Sequence, residues 1–510
     1  MSHFVLKDAF WQILGRLLSA VWGFVVIKLM TPYLWPLRFG DYSTILKYFA
    51  IWSALADFGL YVLAIKKLGQ IKSDMSQNPS LQAHLTHYYS RFVTSRLVMI
   101  VLVYGLALGV AYLIPSYTSN PYLIYGLPIG MLFSASFMIA GIVQLPVQLY
   151  AQMHHTSIAL TLARVIQIVL LILIIIVLYP HFAGTSSLPI FVFVSILWSV
   201  VCSGIAQGLY MWWVWNSYIP FKRIRDPDFT REQMKSNWKY GLAYYLSSFH
   251  TLIVLIILSI FFPTVDGWLY VGIWAFALQL MELALIVPSS MANSLLHKIA
   301  SSTNESKQSA LGALLSVILW IACMCCFNFV IWWPLLIHLI WWDQYLTTMT
   351  SQGILHHGSD FVLSFLGIVL ILSFVKQLFN YIFIAHDLHN KIFVVNLIGV
   401  ITGSVIGIPL MYYYNLVWGI ATQLILELCF VIWAMILAYQ YRCMPRLGNW
   451  RMWSWIIILG WWAWCICILS SFGFMSLESV YWWIWSNLIM IAMSYPSIKA
   501  SLYTIQSHIG

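Results

Sequence analysis

Apolar side chains in this chain come in runs too long for the face of a soluble helix. Val165 to Tyr179 carries one polar side chain, Gln167, and Leu252 to Phe262 carries only Ser259. An amphipathic helix would interrupt such runs with polar residues at each turn. A bilayer instead asks for about 20 apolar residues per helix, and many windows meet that length. The charge content agrees: 8% of the 510 residues are charged and 62% are hydrophobic, against about a quarter charged in a soluble domain. No stretch has the polar surface of a soluble domain. Clusters such as Trp212-Trp213-Val214-Trp215 and Trp332-Trp333 end apolar runs, where amphipathic rings favour the headgroup level.

The expected fold is therefore all-α and polytopic, with about fourteen transmembrane helices near 10–30, 42–64, 92–114, 121–147, 158–179, 189–215, 240–262, 268–296, 310–340, 360–385, 391–412, 416–438, 453–474 and 477–496. Pro, Gly and polar clusters separate them, as at Pro115–Pro121 and Pro180–Pro189. With the N-terminus placed in the cytoplasm, Lys66, Lys67, Lys72, Arg91, the basic residues of 216–239, Lys298, Lys307, Lys391, Arg442, Arg446, Arg451 and Lys499 all fall on the cytoplasmic side. Arg38 alone falls outside. That asymmetry is the positive-inside pattern. It predicts a multi-pass protein of the cell (inner or plasma) membrane with both termini cytoplasmic. The net charge of +10 is thereby explained without nucleic acid as a partner. The eight cysteines read as small apolar fillers. Cys323-Met324-Cys325-Cys326 lacks metal-ligand spacing, so no metal and no cofactor is expected. The first apolar run lacks a small-residue cleavage site and is expected to remain as a helix.

An internal repeat divides the chain. Phe39-Gly40-Asp41-Tyr42-Ser43 opens the second helix and Val271-Gly272-Ile273-Trp274-Ala275 the eighth, offset by 232 residues. Lys66 and Lys298 keep the same offset, and the turns near Gln152 and Ala385 are offset by 233. Each unit holds an even number of spans, so the repeats run parallel. The expected organisation is an N-terminal lobe over 1–215 (helices 1–6), a cytoplasmic linker over 216–239, a C-terminal lobe over 240–440 (helices 7–12), and two additional helices over 441–510.

At these landmarks the sequence resembles a known family. Phe39-Gly40-Asp41-Tyr42-Ser43 and Leu55-Ala56-Asp57-Phe58-Gly59-Leu60 resemble the opening of polysaccharide-transport flippases, the O-antigen and oligosaccharide type within the multidrug/oligosaccharidyl-lipid/polysaccharide (MOP) exporter superfamily. Gln152-Met153-His154-His155 with Leu162-Ala163-Arg164 is similar to the family's junction between the fourth and fifth helices. Lys239-Tyr240-Gly241-Leu242 is similar to the entry of its seventh helix. Val394-Val395-Asn396-Leu397-Ile398-Gly399 and Trp418-Gly419-Ile420-Ala421-Thr422 are similar to its last two repeat helices. The resemblance covers about residues 8–440. It departs at Ala243, where the family often has Pro, and over Thr251–Phe262, which lacks the charge many members carry. The resemblance implies two lobes around a central cavity that opens alternately to either side. It implies a lipid-linked oligosaccharide on a polyprenyl diphosphate as substrate, membrane lipids as surroundings, and polysaccharide-assembly membrane enzymes as partners.

Charges inside apolar helices are the functional candidates, since each costs roughly 2.5–3.5 kcal/mol in lipid even on the mildest scales. Gln12, Arg16, Ser19 and Gly23 make one polar, small face. On it Arg16 is a candidate to bind phosphate oxygens bidentately. Lys376 and Gln279 join Arg16 and Gln12 as candidate substrate-binding residues. Glu282 and Glu427 are candidates for ion coupling or for a buried pair with Lys376. Asp57 and Arg164 are candidates for a cytoplasmic gate. The paired histidines 154–155 and 356–357 show no metalloprotease or comparable pattern.

Three functions compete at this stage. A flippase for a lipid-linked glycan matches the deep cations, which attract a diphosphate. A multidrug or small-cation exporter would want a carboxylate-rich cavity instead. A glycan polymerase or ligase would need catalytic residues in a sizeable outer loop, and the longest, Asp343–Ser359, is short. The chain is therefore not expected to be an enzyme.

Overall fold

The computed structural model describes residues 2–57, 60–75, 81–150, 152–181, 189–215, 226, 228–229, 231–232, 235, 242, 245–246, 269–282, 284–285, 304–331, 348–349, 355–356, 358–386, 388–414, 416–444, 494–496 and 499–501. Helix dominates, as the apolar runs require. Among the described residues the exception is a small antiparallel hairpin of β1 (Thr348–Met349) and β2 (Leu355–His356), pairing Thr348 with His356 and Met349 with Leu355. Seven described helices are long and apolar enough to cross a bilayer: Leu81–Leu113, Pro121–Leu149, Met153–His181, Ile190–Trp215, Ser359–Phe383, Lys391–Leu410 and Gly419–Gln440. The expected helix 13, and nearly all of helices 7 and 14, lie outside the described residues. The chain divides into two compact units, Met1–Ala275 and Phe276–Gly510.

The first unit begins with α1 (Ser2–Asp57), which is two spans joined at a kink. Trp35 leaves helical geometry there, at φ 51° and ψ 162°, between Pro32 and Pro36. Pro36 bars its predecessor from the α region and contributes no backbone donor, so the chain bends where the sequence places an outer loop. Then follow α2 (Leu60–Met75), α3 (Leu81–Leu113), the single turn α4 (Pro115–Thr118), α5 (Pro121–Leu149), α6 (Met153–Val177) and α7 (Ile190–Trp215). The strongest packing joins α5 to α7, α1 to α6 and α6 to α7.

Asn120 caps α5: its Oδ1 accepts the Tyr122 N–H at 3.0 Å, with Pro121 at the first helical position. The same Asn120 donates through Nδ2 to Asp41 Oδ1 at 2.6 Å. Asp41 is fully buried and also accepts from Arg38 Nη1 at 2.8 Å. The Arg38 guanidinium lies 3.6 Å over the Tyr122 ring. The one cation assigned to the outer side is thus neutralised on the spot, and the kink is pinned to the start of α5.

Residues 269–275 of α8 (Leu269–Glu282) fall in the first unit, although the sequence assigns everything after 240 to the later lobe. The reason is a backbone approach: a Cβ at Gly272 would run into the Pro36 carbonyl. Only glycine lets α8 come so close to the kink.

The second unit contains α9 (Asn304–Ile331), α10 (Ser359–Ala385), α11 (His389–Tyr414) and α12 (Leu416–Gln440). There α10 packs on α9 and α12, and α11 packs on α12. The α11–α12 seam is close because Gly403 faces Leu426 with no room for a Cβ. One turn on, the Thr422 hydroxyl donates to the Gly407 carbonyl at 3.2 Å. Buried Cys323 packs beside Met324, against Trp320 and Ile371, as an apolar filler would.

Candidate functional site

Besides the Arg38–Asp41–Asn120 pin, polar side chains among the described residues gather at three places that differ in how charge is balanced. The first is at the end of α1. Asp57 and Arg96 of α3 are both buried and form an ion pair. The Arg96 guanidinium also sits 5.5 Å from the Tyr61 ring and 5.7 Å from the Phe92 ring. The Tyr61 hydroxyl donates to Gln148 Oε1 at 2.7 Å, tying α2 to the end of α5. Lys72 donates to the Leu149 carbonyl at 2.7 Å and lies 4.0 Å over the Tyr150 ring, a cation at a helix C-terminus where the macrodipole favours it.

The ion pair joins Asp57 to Arg96 rather than to Arg164, the other residue of the expected gate. Arg164 belongs to a second cluster. Its Nη1 donates to Gln167 Oε1 at 3.0 Å, one turn along the same helix, and its charge reaches Tyr42. The physical reason is depth. The sequence starts the fifth span at 158, yet α6 begins at Met153. Arg164 therefore stands roughly 16 Å into the helix at 1.5 Å per residue. Gln167 is buried and Arg164 half-buried. Among the described residues Arg164 has no carboxylate partner.

The third cluster is in the second unit. Lys376 Nζ on α10 donates to Glu427 Oε1 on α12 at 3.3 Å. The same oxygen accepts from Ser373 Oγ at 2.9 Å. Lys376 and Glu427 are 6% and 1% exposed, so water screens neither charge. The ammonium also lies 5.0 Å from the Phe430 ring. Gln423, one turn before Glu427, is fully buried, and neither of its amide atoms has a hydrogen-bond partner among the described residues. The structure thus brings Lys376 to Glu427, and this leaves Lys376 little free charge for a substrate. Ser373 was missed in the sequence, although it stands three residues before Lys376 and hence on its helix face.

The remaining candidates are placed as follows. Gln279 and Glu282 lie half-buried on α8, three residues apart. Gln12 and Arg16 lie in the helical backbone of α1, but their side chains are outside the described residues. On the same face Ser19 is half-buried, and open space surrounds Gly23. Among the described residues no three His, Cys, Asp or Glu side chains are gathered for a metal.

Long apolar helices with charges buried among them define a multi-pass membrane protein. Its fold is that of MOP superfamily transporters. The lipid II flippase MurJ in an inward closed conformation matches with a TM-score of 0.64 at 11% identity, over 98% of this chain and 99% of that one. A MOP superfamily transporter from Pyrococcus furiosus, described by the reverse polarity of its binding pocket, matches with a TM-score of 0.61 at 13% identity, over 86% of this chain and 95% of that one. An inward-facing multidrug resistance transporter of the MATE family matches at 0.58 and 12% identity, over 85% and 98%. No curated protein matches in sequence. The chain belongs to the polysaccharide biosynthesis protein family, whose model covers residues 5–297, more than half of its length.

Proposed function

We propose that this protein is a flippase that moves a polyprenyl diphosphate-linked oligosaccharide from the cytoplasmic to the outer leaflet by alternating access, for the assembly of a cell-surface polysaccharide. The observation that carries this reading is Arg164. It is a cation about three turns inside α6, and its hydrogen-bond partner is a neutral amide. Among the described residues Arg96 and Lys376, by contrast, each sit against a carboxylate. A guanidinium left in this state favours a diphosphate, whose oxygens it binds in a planar fork. Membership of a polysaccharide biosynthesis family supports a glycan on the other end of that diphosphate.

In this reading Arg16, Gln12 and Gln279 help to line the substrate path. Glu282 and the Lys376–Glu427 pair serve coupling or hold the second lobe together. Asp57 acts at the cytoplasmic end with Arg96. The lobes span 1–215 and 240–440, joined by the 216–239 linker, with both termini cytoplasmic in a cell membrane. Membrane enzymes of polysaccharide assembly supply and consume the substrate.

The test is reconstitution in liposomes with a fluorescent diphosphate-linked glycan, scored by protection from an external reducing agent. Wild type should move the glycan, and Arg164→Ala should slow it at least tenfold. Arg164→Ala flipping at the wild-type rate would remove the phosphate-site argument. Transport of a lipophilic cation in place of the glycan would favour a multidrug exporter, the role of one structural neighbour.

A further inference from the structure

Arg91 and Tyr88 stand one turn apart on α3 and hold residues of the segment that the sequence reads as a linker. Asp226 is the anchor. One of its oxygens, Oδ1, accepts the Phe229 N–H at 3.0 Å, and the other, Oδ2, is paired with Arg91. Residues 228, 229, 231, 232 and 235 are helical. Asp226 therefore caps a short helix, with Asp228 near its start, where the macrodipole favours a negative charge. Phe229 completes the contact. Its ring lies 5.6 Å from the Arg91 guanidinium and packs edge-on to Tyr88 at 5.4 Å. One carboxylate thus caps the helix and ties it to α3, while one ring seats it between a cation and an aromatic face.

We infer that Asp226 and Phe229 form a docking strap that fastens the connecting segment to α3 and shortens its free length. Undocked, the expected linker 216–239 could reach about 80 Å when extended. With the chain held at Phe229, about ten residues remain before the expected seventh helix, a reach of about 35 Å. The strap limits how far that helix can travel from the end of α3. This consequence rests on the two-lobed transporter reading; the docking itself does not.

The experiment uses the full-length protein in detergent. Hydrogen exchange of amides 229–239 and trypsin cleavage after Arg231 and Lys235 both report release. Asp226→Asn keeps the cap, since Asn caps as well as Asp, and removes only the charge facing Arg91. Asp226→Asn and Arg91→Ala should each raise exchange and cleavage about fivefold, and Phe229→Ala should raise them more. The Arg91→Ala/Asp226→Asn double variant should be no faster than Arg91→Ala alone, because Asp226→Asn then removes a charge whose partner is already gone. Unchanged exchange and cleavage in the single variants would overturn the strap, and so would a fully additive double variant. Neither readout needs a substrate, so failure here is distinct from failure of the flippase reading.

Discussion

Two helix-borne cations, Lys376 of the second unit and Arg164 of the first, are balanced in different ways. In the second, Lys376 meets Glu427 and shares it with Ser373. The charge is cancelled inside the bundle, where a lone ion would be costly. In the first, Arg164 is half-buried with Gln167 as its hydrogen-bond partner. In the proposed reading the difference separates a charge that holds helices together from one kept available for an anion.

If that division is right, removing a partner should hurt most where charge is cancelled. Glu427→Leu leaves an ammonium buried without its acid and should cost about 3–5 kcal/mol of stability, read as a large fall in the thermal midpoint in detergent. Adding Lys376→Met should recover most of the loss, because an apolar pair of similar volume often replaces a buried ion pair at little cost. A double variant as unstable as the single one would mean the charges do more than balance each other. Asp57→Leu should behave like Glu427→Leu with a somewhat smaller loss, since Asp57 and Arg96 are both buried but Asp57 is 8% exposed against 1% for Glu427.

Arg164→Ala should invert the pattern. No acid is orphaned, so the thermal midpoint should hold or rise, while flipping of the diphosphate-linked glycan falls about 10–100-fold. That corresponds to roughly 1.4–2.8 kcal/mol in the transport barrier. A sharp loss of stability with normal flipping would place Arg164 among the structural charges and erase the contrast.

How much of this the sequence disclosed follows from what hydropathy measures. Run length and loop charge gave the helical membrane class, because bilayer thickness acts on residues in sequence order. Glu427 and Lys376 stood out for the same reason: an ion in an apolar run is visible without any fold. Their pairing was legible as a choice between two glutamates and needed tertiary structure to decide. The start of the helix that carries Arg164 was not legible, because hydropathy marks where a run becomes apolar, not where the helix starts; the polar turn His154-His155-Thr156-Ser157 is already helical. That Asp57 pairs with Arg96 was not legible either, because sequence separation carries no information about which helices touch. The strap at Asp226 could have been seen, since Asp-Pro-Asp ahead of a short helix is a start signal; its docking on Arg91 could not.

The smallest expected effect sharpens the comparison from outside the bundle. Arg91 and Asp226 are also an ion pair, but their side chains are 35% and 18% exposed. Water competes for both charges, and exposed pairs contribute about 0–1 kcal/mol. Asp226→Asn should therefore leave the thermal midpoint nearly unchanged, while the local opening of residues 229–239 becomes more frequent. Global and local stability separate here because a docked surface segment opens without the core. At Glu427 the two should fall together, since that pair lies between packed helices. A thermal midpoint that drops as far for Asp226→Asn as for Glu427→Leu would show that burial does not set the worth of these pairs, and the contrast between cancelled and available charge would lose its physical basis.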